Sequence, residues 1–129
     1  MIYILDTHAL VWYVENDPRL SQPARSLLLT PQVELVIPTM VLVEIRHLHA
    51  KGRFKTTLAA VYQHFIHVKN CRIHPLDEDL VSFIPTGLNI HDSIIVATAL
   101  FYRDAKQLPT ALITKDGEIT RSRLIQTLW

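Results

Sequence analysis

Four acidic residues stand where a carboxylate is unusual, at the edge of an apolar run or on the apolar stripe of a predicted helix. They are Asp6, Glu44, Asp92 and Asp116. An isolated buried anion is very costly, so it either takes up a proton or binds a cation. Mg²⁺ and Mn²⁺ prefer oxygen ligands and are usually held by one or two carboxylates, with water and substrate phosphate completing the shell. If the four acids converge, they predict a site for one or two divalent cations, which suits phosphodiester hydrolysis.

Each acid also has an ordinary structural explanation. Asp6 can cap the helix that follows it, and Asn89 with Asp92 fits a variant of the capping box. Asp116-Gly117 is a strong turn signal. Glu44 is the hardest to explain in this way, because it interrupts an apolar helical stripe instead of extending a polar face. No acid is decisive alone, so both interpretations stay open until the fold is considered.

Short apolar runs alternate with segments of helical periodicity along the chain. The predicted strands are 2–5, 33–37, 72–76 and 111–114, with a further edge strand within 124–129. The predicted helices are 7–14, 21–29, 39–51, 54–68, 77–84 and a long one that opens at Asn89. We expect Thr39 to cap the helix over 39–51, Gly52 to end it, and the next helix to pack against it as a hairpin. Ile66 is expected on the apolar face of that second helix.

This alternation predicts an α/β sandwich around a largely parallel sheet. In such sheets the ligand site lies beyond the carboxyl ends of the strands. Asp6 and Asp116 each stand just past the end of a predicted strand. The order of elements therefore predicts that the acids share one edge of the sheet.

Length and composition indicate one packed globular domain. The chain has 129 residues, 49% of them apolar and 19% charged, which provides one sizeable core and no room for a second. The single Cys71 excludes an intramolecular disulfide framework and a Cys-based zinc cluster, so a reducing cytoplasm is the expected location. The start of the chain lacks the basic segment of a signal peptide, and no apolar run is long enough to span a bilayer.

Net charge is only +1, but basic residues concentrate in one stretch. It consists of Arg46, His47, His49, Lys51, Arg53 and Lys55. Such a stretch either contacts nucleic-acid phosphates or is a solvated helix end, where cations are favoured by the helix dipole. The sequence leaves both interpretations open.

Four segments together resemble the PIN domain family, and specifically the VapC-type ribonuclease toxins of type II toxin–antitoxin systems. They are Ile4–Trp12, Val43–Ile45, His91–Ala99 and Leu112–Asp116. The resemblance covers essentially the whole chain and implies a single PIN domain over residues 1–129. It implies a three-layer sandwich with a central, mostly parallel five-stranded sheet, and Mg²⁺- or Mn²⁺-dependent endonucleolytic cleavage of RNA. It also implies homodimerisation and a cognate antitoxin.

The resemblance assigns roles to the acids and to their neighbours. Asp6 and Asp92 would be the main ligands of one or two metal ions, while Glu44 and Asp116 would complete the pocket directly or through water. All four acids, Asp6, Glu44, Asp92 and Asp116, would then be catalytic residues as well as metal ligands.

Four further positions have less definite roles within this resemblance. Thr7 and Thr114 would orient water or a carboxylate. His8 stands where many PIN domains carry Asn, so it would contact phosphate or the neighbouring Asp, or serve only the structure. Glu118 would be either an accessory acid or an exposed residue.

Other chemistries fit the sequence less well. No P-loop or G-x-S-x-G motif is present, and Cys71 has no obvious activating partner. His64 and His67 have helical i, i+3 spacing but are expected to be surface residues. A phosphatase of the haloacid-dehalogenase type needs a second Asp where this chain has His8. The remaining alternative is a non-catalytic PIN-like module that binds RNA or protein.

Overall fold

A five-stranded, all-parallel sheet forms the centre of the protein. In the computed structural model, which describes residues 1–65 and 67–129, the strands follow the spatial order β3-β2-β1-β4-β5. Their bounds are β1 Ile2–Leu5, β2 Glu34–Pro38, β3 Cys71–His74, β4 Thr110–Ile113 and β5 Gln126–Leu128. The predicted parallel α/β architecture is confirmed, including the edge strand near the end of the chain.

Helices surround the sheet and connect its strands. They are α1 Thr7–Val14, α2 Gln22–Leu28, α3 Thr39–Ala50, α4 Leu58–Phe65, α5 Glu78–Val81, α6 Ile90–Leu100 and α7 Gly117–Ser122, with a π-helical turn at Phe101–Ala105 after α6. Among the described residues, no helix is both long and apolar enough to cross a membrane.

The two strands that lead to the acids are the most deeply buried. In β1, Ile4 and Leu5 are fully buried, and in β4 the same is true of Leu112 and Ile113. Apolar, β-branched runs of this kind are typical of strands covered on both faces. The strands are paired in parallel with Leu5 opposite Ile113, so the residues that follow them come out at the same edge of the sheet.

The start of α3 differs from the prediction. Thr39 is the first helical residue and Pro38 occupies the capping position without a side-chain cap. The reason is that β2 runs directly into α3, and the Thr39 hydroxyl instead donates to the His74 carbonyl at the end of β3, at 2.8 Å. The predicted end is confirmed, because Gly52 adopts a left-handed conformation with φ of 72°.

The next helix is shorter than predicted. α4 begins at Leu58 rather than residue 54, because the buried Thr56 donates its hydroxyl to Glu15 at 2.7 Å and Thr57 accepts from the Ala60 amide at 3.1 Å. These bonds favour a capped start over a longer helix. The expected hairpin is confirmed, since α3 packs against α4. Ile66, predicted on the apolar face, lies outside the described residues.

The remaining boundaries move by a few residues. Strand β3 spans Cys71–His74 rather than 72–76, and α5 spans Glu78–Val81 rather than 77–84. Asp77 precedes α5 as its N-cap and accepts a hydrogen bond from the Leu80 amide at 3.0 Å. These shifts leave the sheet edge that carries the acids unchanged.

Candidate metal centre

Asp6 lies at the carboxyl end of the central strand and is held from two sides. Its Oδ1 accepts the Thr7 backbone N–H at 2.7 Å, so it caps α1 through the first N–H of the helix. Its Oδ2 accepts the hydroxyl of Thr114, the residue that follows neighbouring strand β4, at 2.5 Å. As a whole, Asp6 is only 9% exposed. Capping and a place in a shared site are therefore compatible for this residue.

Glu44 reaches the same place from helix α3. Its neighbours Val41 and Ile45 are fully buried, which draws this face of the helix against the rest of the protein. The Thr7 hydroxyl donates to Glu44 Oε1 at 2.9 Å. Glu44 Oε2 lies 4.0 Å from His91 Nδ1. The half-buried Glu44 is thus fixed to the residue directly after Asp6.

Asp92 enters from the first turn of α6. Asn89 caps this helix, its Oδ1 accepting the Asp92 backbone N–H at 2.9 Å. Asn89 Nδ2 donates to Asp92 Oδ2 at 2.6 Å. The first bond is the N-cap half of the predicted capping box, whereas the second joins the two side chains instead of reaching the Asn89 backbone N–H. The other carboxylate oxygen of Asp92 is left without a bond inside the described protein.

Asp116 enters from the loop after β4. Its Oδ1 accepts the Ile119 N–H at 2.8 Å, so it caps α7 and does not form a hairpin turn. Its own backbone N–H donates to the Thr114 hydroxyl at 3.0 Å. Thr114 therefore links Asp116 with Asp6.

All four predicted acids line one cavity of about 410 Å³ at the carboxyl edge of the sheet. Its other lining residues are Thr7, His8, Trp12, Lys115 and Gly117. Within residues 1–65 and 67–129, no group of three or more His, Cys, Asp or Glu side chains is arranged to hold one ion. The cavity thus offers carboxylates that would need water to complete the shell, which is how Mg²⁺ is usually bound.

The electrostatics of the cavity favour a cation. Burial raises the pKa of Asp6, although its hydrogen bonds from Thr114 and Thr7 oppose the rise. Burial also raises the pKa of Glu44 and, to a smaller extent, so do the charges of Asp6 and Asp92. Carboxylates that are desolvated and repel one another are stabilised by a positive charge between them. The oxygen donors and their charge therefore fit a hard divalent ion.

Asp92 follows the same rule. Its pKa is raised first by burial and then by the charges of Asp116, Asp6 and Glu118. Glu118 itself is exposed and is not among the residues that line the cavity. It acts on the site through its charge.

His8 and Lys115 give the cavity its non-acidic wall. The exposed His8 ring packs against Trp12 at 5.2 Å between ring centroids and edge-on against Phe54 at 5.6 Å. Lys115 Nζ lies 5.6 Å from the Trp12 ring centroid. Lys115 is a cavity residue that sequence reasoning missed, although its place between Thr114 and Asp116 was an available signal.

The residues of the competing chemistries lie elsewhere. Cys71 is on edge strand β3, where burial raises the pKa of its thiol to about 11, so the nucleophilic thiolate is scarce at neutral pH. His64 and His67 are exposed, as predicted. Neither Cys71 nor these histidines lines the acidic cavity.

Comparisons with known proteins agree with this geometry. A family model described as PIN domain matches residues 3–123. One similar solved structure is VapBC2 from Rickettsia felis bound to a DNA fragment from their promoter, at 18% identity and a TM-score of 0.67, covering 99% of this chain and 98% of that one. Another is VapBC-1 from nontypeable Haemophilus influenzae, at 19% identity and a TM-score of 0.65, covering 99% and 97%. No curated protein sequence matches this chain. At these identities the two structures establish the fold.

Proposed function

The chain belongs to the PIN domain family, and on that premise we propose that it is a divalent-metal-dependent endoribonuclease that cleaves RNA phosphodiester bonds. The observation that carries the proposal is the convergence of four carboxylates, from four places in the chain, on one cavity. The pKa values of Asp6, Glu44 and Asp92 are raised, which supports a site where a bound cation would offset the desolvation of these carboxylates and their mutual repulsion.

Each acid has a place in this proposal. Asp6 and Asp92 are the main ligands of one or two Mg²⁺ or Mn²⁺ ions, and Glu44 and Asp116 complete the site directly or through water. When bound, such ions activate a water nucleophile and stabilise charge on the attacking and leaving oxygens. The carboxylates of these four acids would also accept hydrogen bonds from the attacking water.

Polar neighbours keep the carboxylates in position. Thr114 fixes Asp6, Thr7 fixes Glu44, and the Asn89 amide fixes one oxygen of Asp92. Hydrogen bonds of this kind orient metal ligands and contribute to metal affinity. The site is therefore prearranged by its own side chains. Lys115, a cation in an acidic cavity, is positioned to contact a substrate phosphate.

The proposed biological role is that of a toxin paired with a cognate antitoxin. The two similar structures are VapBC complexes, which supports an antitoxin partner. A homodimer and a cytoplasmic location complete the proposal.

RNA cleavage with Mn²⁺ and with EDTA tests the activity. Wild-type protein should cleave single-stranded RNA with Mn²⁺ and lose this activity in EDTA. Asp6→Asn and Asp92→Asn should each lose more than about 100-fold, because even residues that only support metal ligands contribute 10- to 100-fold. Asp79→Asn is the matched control, since Asp79 is exposed on α5 and does not line the cavity.

The same assay separates the catalytic proposal from a non-catalytic binding module. A module that only binds RNA or protein should show no Mn²⁺-dependent cleavage at any protein concentration. Full activity in both Asp6→Asn and Asp92→Asn, purified free of other ribonucleases, would contradict the proposed site.

A further inference from the structure

A second cavity lies directly beside the acidic one. It measures about 390 Å³, and its lining includes Glu44, which also lines the acidic cavity. The two Glu44 oxygens face different neighbours: Oε1 accepts the Thr7 hydroxyl, and Oε2 is 4.0 Å from His91 Nδ1. His91 lines only the second cavity. The Glu44 carboxylate is therefore the wall that the two cavities share.

The second cavity has a different charge from the first. Lys51, Arg53 and His47 line it, and Glu44 is its only acid. Within the described part of the chain, neither Lys51 nor Arg53 forms an ion pair or donates a side-chain hydrogen bond. Both are exposed at the cavity rim. Two cations without acidic partners are thus available to an anion.

The chain holds these two cations in a fixed turn. Gly52 N–H donates to the His49 carbonyl and Arg53 N–H to the Leu48 carbonyl, both at 2.9 Å. Together with the left-handed Gly52, this is the Schellman end of α3. The turn sets Lys51 and Arg53 on either side of one glycine, so little backbone freedom is lost when both bind the same ligand.

The rest of the lining suits a nucleotide. Apolar side chains of Met40, Val43 and Leu48 form part of the wall, and Val43 is 52% exposed. A nucleotide combines an anionic phosphate with an apolar base face. A simple helix-end explanation accounts for Lys51 through the helix dipole, but it does not account for a cavity that shares Glu44 with the acidic one.

On the basis of the proposed function, we propose that this second cavity binds an RNA backbone phosphate adjacent to the one that is cleaved, with Lys51 and Arg53 as its contacts. The acidic cavity would take the scissile phosphate, and Lys51 and Arg53 would hold the neighbouring phosphate by charge. This places the substrate strand across Glu44, from α1 towards the end of α3. Lys51 and Arg53 thus position the substrate and take no part in the bond cleavage.

The test measures RNA affinity without metal. The probe is a labelled, mixed-sequence single-stranded RNA of about 12 nucleotides, titrated in EDTA at several KCl concentrations with fluorescence anisotropy as the readout. The test variant is Lys51→Gln with Arg53→Gln. The control is Lys69→Gln with Lys106→Gln, which removes the same charge near the opposite ends of the strands, before β3 and before β4.

We expect the test variant to bind RNA at least fivefold more weakly than the control. Loss of one phosphate contact should also make the slope of log K against log salt shallower by about 0.7, whereas the control keeps the wild-type slope. Both substituted side chains are exposed, and thermal unfolding of each variant verifies the fold. The single variants Lys51→Gln and Arg53→Gln should each show part of the loss.

Equal affinities and slopes for the test and control variants would overturn the subsite, as would absence of RNA binding by the wild type. The proposed function is judged separately from Mn²⁺-dependent cleavage by the wild type. If the wild type binds RNA through this cavity but cleaves none with Mn²⁺, the ribonuclease proposal fails and the phosphate subsite remains.

Discussion

Replacing Thr114 by Val tests how the acidic site is held together. The buried Thr114 hydroxyl donates to Asp6 Oδ2 and accepts the Asp116 N–H at 3.0 Å. Valine has nearly the same shape but makes neither bond. A hydrogen bond to a charged group contributes about 1.5 to 3 kcal/mol, and one between neutral groups about 1 kcal/mol. Their joint loss should lower the free energy of unfolding by about 2.5 to 4 kcal/mol.

This loss is large enough to measure by thermal unfolding. For 129 residues the unfolding entropy is about 0.27 kcal/mol per kelvin, so the melting temperature should fall by about 9 to 15 °C. Thr114→Ser is the matched control, because it keeps the hydroxyl and loses one buried methyl group, at a cost of about 1 kcal/mol. In EDTA at neutral pH, we expect the wild type to have the highest melting temperature, Thr114→Ser an intermediate one and Thr114→Val the lowest.

The pH dependence identifies the bond responsible. The Thr114 hydroxyl lowers the pKa of Asp6, so it stabilises the ionised carboxylate more than the protonated one. As the pH falls through the pKa of Asp6 in the folded protein, the difference between wild type and Thr114→Val should shrink. A Val variant as stable as the Ser variant at neutral pH, or a difference that does not change with pH, would refute this reasoning.

Three further predictions concern the same site and its supporting elements. In EDTA, Asp6→Asn should have a higher melting temperature than the wild type at pH 8, and the difference should shrink at acid pH. The reason is that burial raises the pKa of Asp6 above 3.8 in the folded state, so its ionised form destabilises the fold as the pH rises. A melting temperature below that of the wild type at pH 8 would contradict this. Asn89→Ala should lower the free energy of unfolding measured in urea by about 1 kcal/mol, since it removes the cap of α6. It should also weaken Mn²⁺ binding by about 10-fold, because Asp92 loses its hydrogen-bond partner. An unchanged Mn²⁺ affinity would show that this cap does not support the metal site. Gly52→Ala should destabilise the protein by about 1 kcal/mol, because the φ of 72° at Gly52 is strained for any residue with a Cβ. An unchanged urea midpoint would contradict this and show that the end of α3 rearranges.

Much of the site could be predicted because its signals are local. Asp6 and Asp116 mark strand ends, and Asn89 marks the start of the helix that carries Asp92; a few neighbouring residues reveal each of these features. The parallel sheet then brings strand ends together by its topology. The family resemblance added the order and spacing that no single acid provides.

Other features depend on contacts between distant segments. The hydrogen bond from Thr7 to Glu44 joins residues 37 apart, and no local pattern specifies it. The late start of α4 has the same origin, because Thr56 is bound by Glu15 from 41 residues away. The apolar periodicity alone predicts that this helix begins at residue 54. Tertiary contacts overrode it.

Calorimetric titration with Mn²⁺ tests the central claim most directly, because it detects the shared carboxylate site without substrate. The wild type should bind one or two ions, and Asp6→Asn should bind them more than about 100-fold more weakly, since it loses a ligand and not merely a supporting residue. The Asp79→Asn control should bind like the wild type. Equal Mn²⁺ affinity and stoichiometry in the wild type and Asp6→Asn would contradict a metal centre built on these acids.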